Sequence, residues 1–145
     1  MPEIRKIAAI ETFTVRHSVL RAGKPLSSCH FEGDDLDTTS HFGLFLDNEI
    51  VGVLSVVKED SSFLDIPGQY RIRGMAVLEN HRKKGYGEAL VRHLETFLKN
   101  HKVPSLWFNA RIIALGFYEK LGYEIVGDAF EISDIGLHYK MYKKL

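Results

Sequence analysis

"HRKKGYGEAL" (residues 81–90) places four groups that can carry positive charge directly before two glycines, and an amphipathic helical pattern follows. Gly85 and Gly87 come shortly after an apolar run that ends at Val77, so the stretch joins a predicted strand to a predicted helix. Backbone N–H groups at a helix start lack intrahelical acceptors, and the helix dipole adds partial positive charge. Glycine also lets an anion approach the backbone without a Cβ in the way. These properties suit a phosphate site.

The spacing of the glycines excludes two well-known phosphate loops. A dinucleotide loop needs G-x-G-x-x-G or A, and Leu90 stands at its third position here. The Walker pattern G-x-x-x-x-G-K-[ST] is absent from the sequence. The remaining pattern is R-x-x-G-x-G, formed by Arg82, Gly85 and Gly87. From these residues alone, a phosphate cradle and a solvated basic helix cap are both open.

Two helices are predicted after the glycines. The first has an apolar stripe at offsets 0, 1, 4, 7 and 8, which is typical of an amphipathic helix on a core. Its members are Leu90, Val91, Leu94, Phe97 and Leu98.

The second helix follows a short apolar strand, "SLWF". Ile113, Phe117 and Leu121 recur every four residues and predict its buried row, which Gly122 ends. Asn109 is the predicted N-cap of this helix.

The other segments predict a mixed sheet. A short N-terminal strand precedes a weakly patterned helix, Glu11 to Leu20, and a long polar loop, Ala22 to Ser40. Asp47-Asn48-Glu49 separates two apolar runs and indicates a β-hairpin. A strand follows from Tyr70, and two more close the chain. Strand-helix-strand crossovers require parallel neighbours, whereas hairpins require antiparallel ones, so the expected fold is α/β (α+β).

Composition bounds the classes of function. The 145 residues predict a single domain, 1–145, and 19 Lys and Arg residues balance 19 Asp and Glu residues. No overall field therefore attracts nucleic acid or an acidic membrane. The single cysteine, Cys29, offers neither an internal disulfide nor a metal cluster, so a reducing cytoplasm is expected. No apolar run of membrane-spanning length occurs in this sequence.

The residues around the glycines resemble those of one known family. "VLENHRKKGYGEALVRHL" after "RIRGMAV" resembles the acetyl-coenzyme-A motif of the GNAT superfamily of N-acetyltransferases. In that family an R/Q-x-x-G-x-G/A loop cradles the coenzyme A pyrophosphate, and Arg82, Gly85 and Gly87 match it. "LWFNARIIALGFYEKLGYE" resembles the next strand and helix, so the strong resemblance covers Tyr70 to Tyr123.

The end of the chain resembles a small bacterial subgroup of N-acyltransferases. "FEISDIGLHYKMYKKL" is similar to the final strands of that subgroup, which often shows Gly-x-Pro-His. Leu137 stands where the proline would be.

The resemblance implies both a fold and a coenzyme site. The implied sheet is mixed and mostly antiparallel, with about six to seven strands, flanking helices and a central parallel pair that splays apart. Pantetheine of acetyl-CoA would bond to main-chain groups of one of those strands, and the N–H of Val77 would polarise the thioester carbonyl. The implied coenzyme ligands are Met75, Ala76, Val77, Arg82, Lys83, Lys84, Gly85, Tyr86, Gly87, Glu88, Asn109 and Ala114.

The implied reaction moves acetyl from acetyl-CoA to a primary amine of a small molecule or peptide by direct attack. The family places a tyrosine at Tyr118, which would protonate the departing thiolate. Core packing with a satisfied hydroxyl is the alternative for Tyr118. The alternative function is a non-catalytic acyl-CoA sensor that regulates a partner. No metal, nucleic acid or membrane partner is expected, and a homodimer stays open.

Several further residues have competing interpretations. Trp107 is expected in the core, Cys29 is expected to be an inert thiol, and Arg111 is expected at the surface or beside Asn109 in the site. His138 lies on an alternating strand and is a candidate for acceptor contact. The acidic residues of the long loop either attract an amine or are simply solvated; they are Glu32, Asp34, Asp35 and Asp37.

Overall fold

The computed structural model describes residues 2–133 and 135–145. The strands and helices follow one another in the order that the sequence predicts. Their bounds are β1 Glu3–Ile7, α1 Phe13–Val19, β2 Ser40–Leu46, β3 Glu49–Lys58, β4 Tyr70–Val77, α2 Tyr86–Asn100, β5 Ser105–Arg111, α3 Leu115–Lys120, β6 Glu124–Ile132 and β7 Gly136–Lys144.

The strands form one mixed sheet of seven, in the order β1-β2-β3-β4-β5-β7-β6. Neighbours are antiparallel at β1–β2, β2–β3, β5–β7 and β6–β7. The pair β4–β5 is parallel, with Tyr70 opposite Leu106 and Arg71 opposite Trp107. The predicted mixed sheet with a parallel pair and flanking helices is therefore confirmed, and the divergence of that pair stays a prediction.

The chain divides into two compact units. The first comprises residues 2–58 and 72–97, and the second comprises 59–71, 98–133 and 135–145. Whether residues 1–145 act as one domain stays a prediction. No helix of the described residues combines the length and the apolar character needed to cross a membrane.

The first unit contains the hairpin and the N-terminal part of α2. Asp47 and Asn48 both have positive φ, so they form a two-residue turn whose twist matches that of the flanking strands. Glu49, predicted as part of the turn, is already the first residue of β3. On α2 the predicted apolar stripe is buried at Leu90 and Val91, as the periodicity indicates.

The second unit contains α3, whose predicted buried row is wrong at two of its three positions and confirmed at Leu121. Ile113 is 91% exposed and Phe117 is 37% exposed, whereas Tyr118 and Leu121 are buried. The reason is that residues 112–114 form a 3₁₀ turn and α3 has only six residues, from Leu115. A 3₁₀ turn has three residues per turn, so a row counted from Ile113 at helical spacing falls on the wrong side of α3.

Asn109 is likewise not a helix N-cap. It lies inside β5, which continues to Arg111, and it is paired across the ladder with Lys140 of β7. Because the strand extends three residues further than predicted, from Phe108 to Arg111, the backbone of Asn109 belongs to the sheet.

Candidate active site

The loop between β4 and α2 is held by the backbone of the first unit. After β4, the N–H of Leu78 donates to the carbonyl of Val51 at 2.9 Å. A 3₁₀ turn, Glu79–His81, follows. Lys83 and Gly85 then have φ of +62° and +82°, a conformation that glycine adopts readily and lysine rarely. The N–H of Ala89 donates to the Gly85 carbonyl at 3.0 Å, which closes the first turn of α2.

The start of α2 presents backbone donors beside positive side chains. Tyr86, Gly87 and Glu88 are its first three residues, and N–H groups at these positions have no intrahelical acceptor. Arg82, Lys83 and Lys84 immediately precede this turn and are exposed. Apart from its chain neighbours, no atom of the described residues lies within 4 Å of a Cβ added at Gly85, so the space beside that glycine is open. This arrangement can receive an anion such as a pyrophosphate.

Arg82 ties the loop to the strand before it. Its Nε donates to the carbonyl of Val77, the last residue of β4, at 3.2 Å. Near that end of β4, Ala76 is buried, whereas Met75 and Val77 are half-buried. The coenzyme ligands predicted on β4 and those predicted on the loop are thus linked by a hydrogen bond within the first unit.

Asn109 of the second unit carries a buried acceptor atom, the side-chain oxygen Oδ1. Its Oδ1 is buried and has no hydrogen-bond partner among residues 2–133 and 135–145. Since buried polar atoms are nearly always paired in folded proteins, an orphaned side-chain oxygen favours a ligand that donates an N–H. Ala114, the other predicted coenzyme ligand of this unit, ends the 3₁₀ turn before α3 and is half-buried.

Tyr118 is packed among aromatic rings. Its ring centroid lies 4.3 Å from that of Phe108 and 5.0 Å from that of Phe117, and the residue is 7% exposed. Burial raises the pKa of the Tyr118 hydroxyl above its ordinary value of 10.0. Phe108 and Asn109 are consecutive on β5, so Tyr118 lies on the face of the strand opposite to the Asn109 side chain.

The predicted site residues therefore occur in two described groups. The first unit holds Met75, Ala76, Val77, Arg82, Lys83, Lys84, Gly85, Tyr86, Gly87 and Glu88, and the second holds Asn109, Ala114 and Tyr118. Their roles with a coenzyme stay predictions.

The long loop does not present its acidic residues uniformly. Asp34 is buried and accepts hydrogen bonds from Arg16 at 2.6 and 3.1 Å, so it is not available to an incoming amine. Burial alone would raise the pKa of Asp34, but the Arg16 guanidinium, the Phe31 N–H and the charge of His41 together hold that pKa below 3.8. Asp35 is exposed and pairs with His30 at 2.7 Å.

Other candidate residues have simpler surroundings. Trp107 is buried as predicted, and its Nε1 donates to the carbonyl of Glu59 at 2.8 Å. Cys29 is a buried free thiol, and Arg111 is exposed. His138 is buried, although sequence reasoning left its exposure open.

Sequence reasoning missed a buried polar network in the first unit. Arg16 is fully buried and donates to Asp34, to the carbonyl of Cys29 at 2.8 Å and to Ser55 Oγ at 2.9 Å. His41 Nδ1 lies 2.6 Å from the same hydroxyl of Ser55. One signal was available: Arg16 directly follows Val15 on the helix α1, where a charged residue among apolar ones indicates a buried ion pair.

Comparisons with known proteins agree on the family. The model of the Acetyltransferase (GNAT) family matches residues 5–123. A Bacillus subtilis (strain 168) protein named "Uncharacterized N-acetyltransferase YitI" is 34% identical over 145 residues, which are 100% of this chain and 97% of that protein.

Solved structures show the same fold. An aminoglycoside 6'-N-acetyltransferase complexed with coenzyme A superposes with a TM-score of 0.77 at 16% identity, over 98% of this chain and 96% of that chain. The ribosomal-protein-S18-alanine N-acetyltransferase from Escherichia coli superposes with a TM-score of 0.76 at 16% identity, over 99% and 94%. With the matched family model and the full-length relative, these findings show that the chain belongs to the GNAT family of acetyltransferases.

Proposed function

We propose that this protein transfers acetyl from acetyl-CoA to a primary amine by direct attack of the amine on the thioester. The observation that carries the proposal is the loop before α2. There, Arg82, Lys83 and Lys84 precede a helix start whose backbone donors and open space beside Gly85 suit a pyrophosphate. The aminoglycoside acetyltransferase of the same fold, which is complexed with coenzyme A, supports acetyl-CoA as the co-substrate.

The residues of each unit have assigned roles in this proposal. The N–H groups of Gly87 and its neighbours, together with Arg82, bind the pyrophosphate. The Asn109 carbonyl oxygen accepts an N–H of pantetheine, which would satisfy a buried atom that has no hydrogen-bond partner among the described residues. The N–H of Val77 donates to the thioester carbonyl and stabilises the negative charge that develops on its oxygen.

Tyr118 is proposed as the donor to the departing thiolate. Its raised pKa keeps the hydroxyl protonated throughout the pH range of an assay, so the donor form is always present. The same shift makes complete proton transfer to a thiolate less favourable, because a thiol has a pKa of about 8.5. Tyr118 therefore acts first as a hydrogen-bond donor while charge builds on sulfur, and transfer completes as the C–S bond breaks.

The proposal is tested by acetyl-CoA binding in calorimetry, followed by release of free thiol with small amines, polyamines, amino acids and peptides. The expected result is binding together with thiol release that depends on an amine. Binding without release from any amine would favour the non-catalytic sensor instead. We also propose the cytoplasm as the compartment, since Cys29 is a free thiol.

A further inference from the structure

One face of the second unit carries, beside the proposed pantetheine ligand Asn109, three polar side chains that have no proposed role in coenzyme binding. His138 and Lys140 are two residues apart on β7, so their side chains lie on the same face. Arg111 is opposite His138 on β5, and Asn109 is opposite Lys140. Directly opposed residues of an antiparallel pair share a face. These four residues are named the β5–β7 face.

Lys140 is a cation whose described neighbours include two aromatic rings. It is half-buried, and its Nζ lies 4.3 Å from the ring centroid of Phe130 and 5.8 Å from that of Phe63. Within residues 2–133 and 135–145, no Asp or Glu oxygen lies within 4.0 Å of this ammonium. Ring faces attract a cation but leave its charge uncompensated. The position therefore favours an anionic group of a ligand.

A hydrogen bond indicates which ring nitrogen of His138 carries the proton. The residue is 4% exposed, and its Nδ1 lies 2.8 Å from the carbonyl oxygen of Gly136. A carbonyl can only accept, so Nδ1 carries the proton and, in the neutral ring, Nε2 carries the lone pair. The described part of the chain offers no hydrogen bond to Nε2. Packing against Phe130, with centroids 6.0 Å apart, holds the ring in place.

We propose that the β5–β7 face binds an acceptor amine that carries a carboxylate, as a free amino acid does, with the carboxylate at Lys140 and the amine at Nε2 of His138. This inference rests on the proposed acetyl transfer and names its acceptor class. Asn109, the proposed pantetheine ligand, is directly opposite Lys140 in the ladder. The coenzyme arm and the acceptor would then be held by adjacent strands of one unit.

The chemistry balances with the residues named. Nε2 of His138 takes one proton from the acceptor ammonium, and the freed lone pair forms the C–N bond to the thioester carbon. The C–S bond breaks, its electron pair stays on sulfur, and the thiolate takes a proton from Tyr118. The nitrogen loses its second proton to water, while Tyr118 and His138 exchange protons with solvent. Overall, an ammonium and acetyl-CoA give an N-acetyl amino acid, free coenzyme A and one proton.

Matched acceptor pairs test this inference in the wild-type protein. Thiol release at saturating acetyl-CoA is measured for an amino acid and for the amine left by its decarboxylation: phenylalanine against 2-phenylethylamine, and lysine against cadaverine. A charge-assisted contact to the carboxylate predicts a kcat/KM about tenfold or more higher for the amino acid. Equal use of both members of each pair would overturn the inference while acetyl transfer still stood.

Variants then assign the effect to residues. Lys140→Met keeps the apolar stem and removes the charge, so it should raise KM for the amino acid and abolish the preference. Lys144→Met makes the same change on an exposed lysine of β7 and should leave the preference intact. His138→Gln should lower kcat for an amine protonated at assay pH, and much less for a fluorinated analogue whose amine is already neutral. An unchanged preference in Lys140→Met, or equal losses for both amines in His138→Gln, contradicts the assignment.

The outcomes separate this inference from the proposed function. Acetyl-CoA binding with no thiol release from any acceptor contradicts acetyl transfer itself. Thiol release that ignores the carboxylate contradicts the β5–β7 face alone. The acceptor pairs need no substitution, so the test stands even where a variant does not fold.

Discussion

At the scale of single residues, burial decides what an ionisable side chain can do. Tyr118 is surrounded by Phe108, Phe117 and Tyr123, and the loss of water raises the pKa of its hydroxyl. A phenol in these surroundings stays protonated at the pH of an assay. That property is compatible with the proposed role of Tyr118 as a donor to sulfur, and it does not fit a base.

Removing only the Tyr118 hydroxyl separates catalysis from packing. Tyr118→Phe keeps the ring contacts, so acetyl-CoA affinity and the melting temperature should barely change. The rate constant kcat should fall by roughly 10²–10⁴, the range for a lost general acid. A melting curve and a thiol-release assay on this variant check both parts. A loss of about 1 kcal/mol in stability with full turnover would instead assign Tyr118 to the core.

Asp34 illustrates a buried carboxylate whose ionised form is favoured by folding. Its pKa is below 3.8 in the folded chain, so its contribution to stability is present above about pH 4. That contribution is lost as the pH falls further, through the lowered folded-state pKa, because protonation then weakens the contacts with Arg16.

Asp34→Asn should therefore destabilise the protein by about 3–5 kcal/mol at pH 7, since it leaves the Arg16 guanidinium buried without its counter-charge. The variant should also lose part of the stability change below pH 4. Urea unfolding at pH 7 and at a series of lower pH values measures both effects. The control is Asp35→Asn, which breaks only an exposed pair with His30. Equal losses in the two variants would contradict a structural role for the buried pair.

At the scale of elements, long periodic segments were predicted well and short ones were not. The sequence predicts the bounds of β4 and the buried stripe of α2, because eight and fifteen residues repeat their pattern several times. The helix α3 has six residues after a 3₁₀ turn, so Ile113 and Phe117 satisfied a helical spacing without sharing a helix.

In the candidate site, too, features with a local sequence pattern were predicted and features formed by distant segments were not. The loop pattern at Arg82, Gly85 and Gly87 is local, so the sequence alone singled it out. Lys140 went unnoticed because its partners, Phe63 and Phe130, come from distant segments. The alternation of polar residues at His138, Lys140 and Tyr142 on β7 was the one signal that a polar face existed.

A substitution at the start of α2 tests whether the coenzyme binds there. Gly87→Val places a β-branched side chain in the first turn, where the pyrophosphate is proposed to lie. The Kd for acetyl-CoA should rise more than tenfold, or more than about 1.4 kcal/mol, while the fold is retained. Calorimetry measures the Kd, and circular dichroism checks the fold.

A matched control for Gly87→Val is available on α3. Gly116→Val makes the same change at an exposed helical glycine, where an added Cβ would meet no described atom within 4 Å beyond the local helix backbone. Its Kd should stay near that of the wild type. Unchanged affinity for acetyl-CoA in Gly87→Val would contradict a phosphate site and favour the alternative interpretation, in which the loop is a solvated basic helix cap.

At the scale of the whole molecule, the family explains the sheet and the chain's own residues suggest the chemistry. Family membership rests on the match over residues 5–123 and on a relative that is 34% identical along the chain. The identity of the acceptor amine follows neither from the family match nor from that relative. We inferred it from the side chains of His138 and Lys140, whose surroundings only the folded chain reveals.

The most direct test of the account is one titration followed by one assay. Acetyl-CoA is titrated into the wild-type protein in a calorimeter, and free thiol is then followed with and without an amino-acid acceptor. The account predicts saturable binding and thiol release that requires the acceptor. An absence of acetyl-CoA binding, or thiol release at the same rate without any amine, would contradict it.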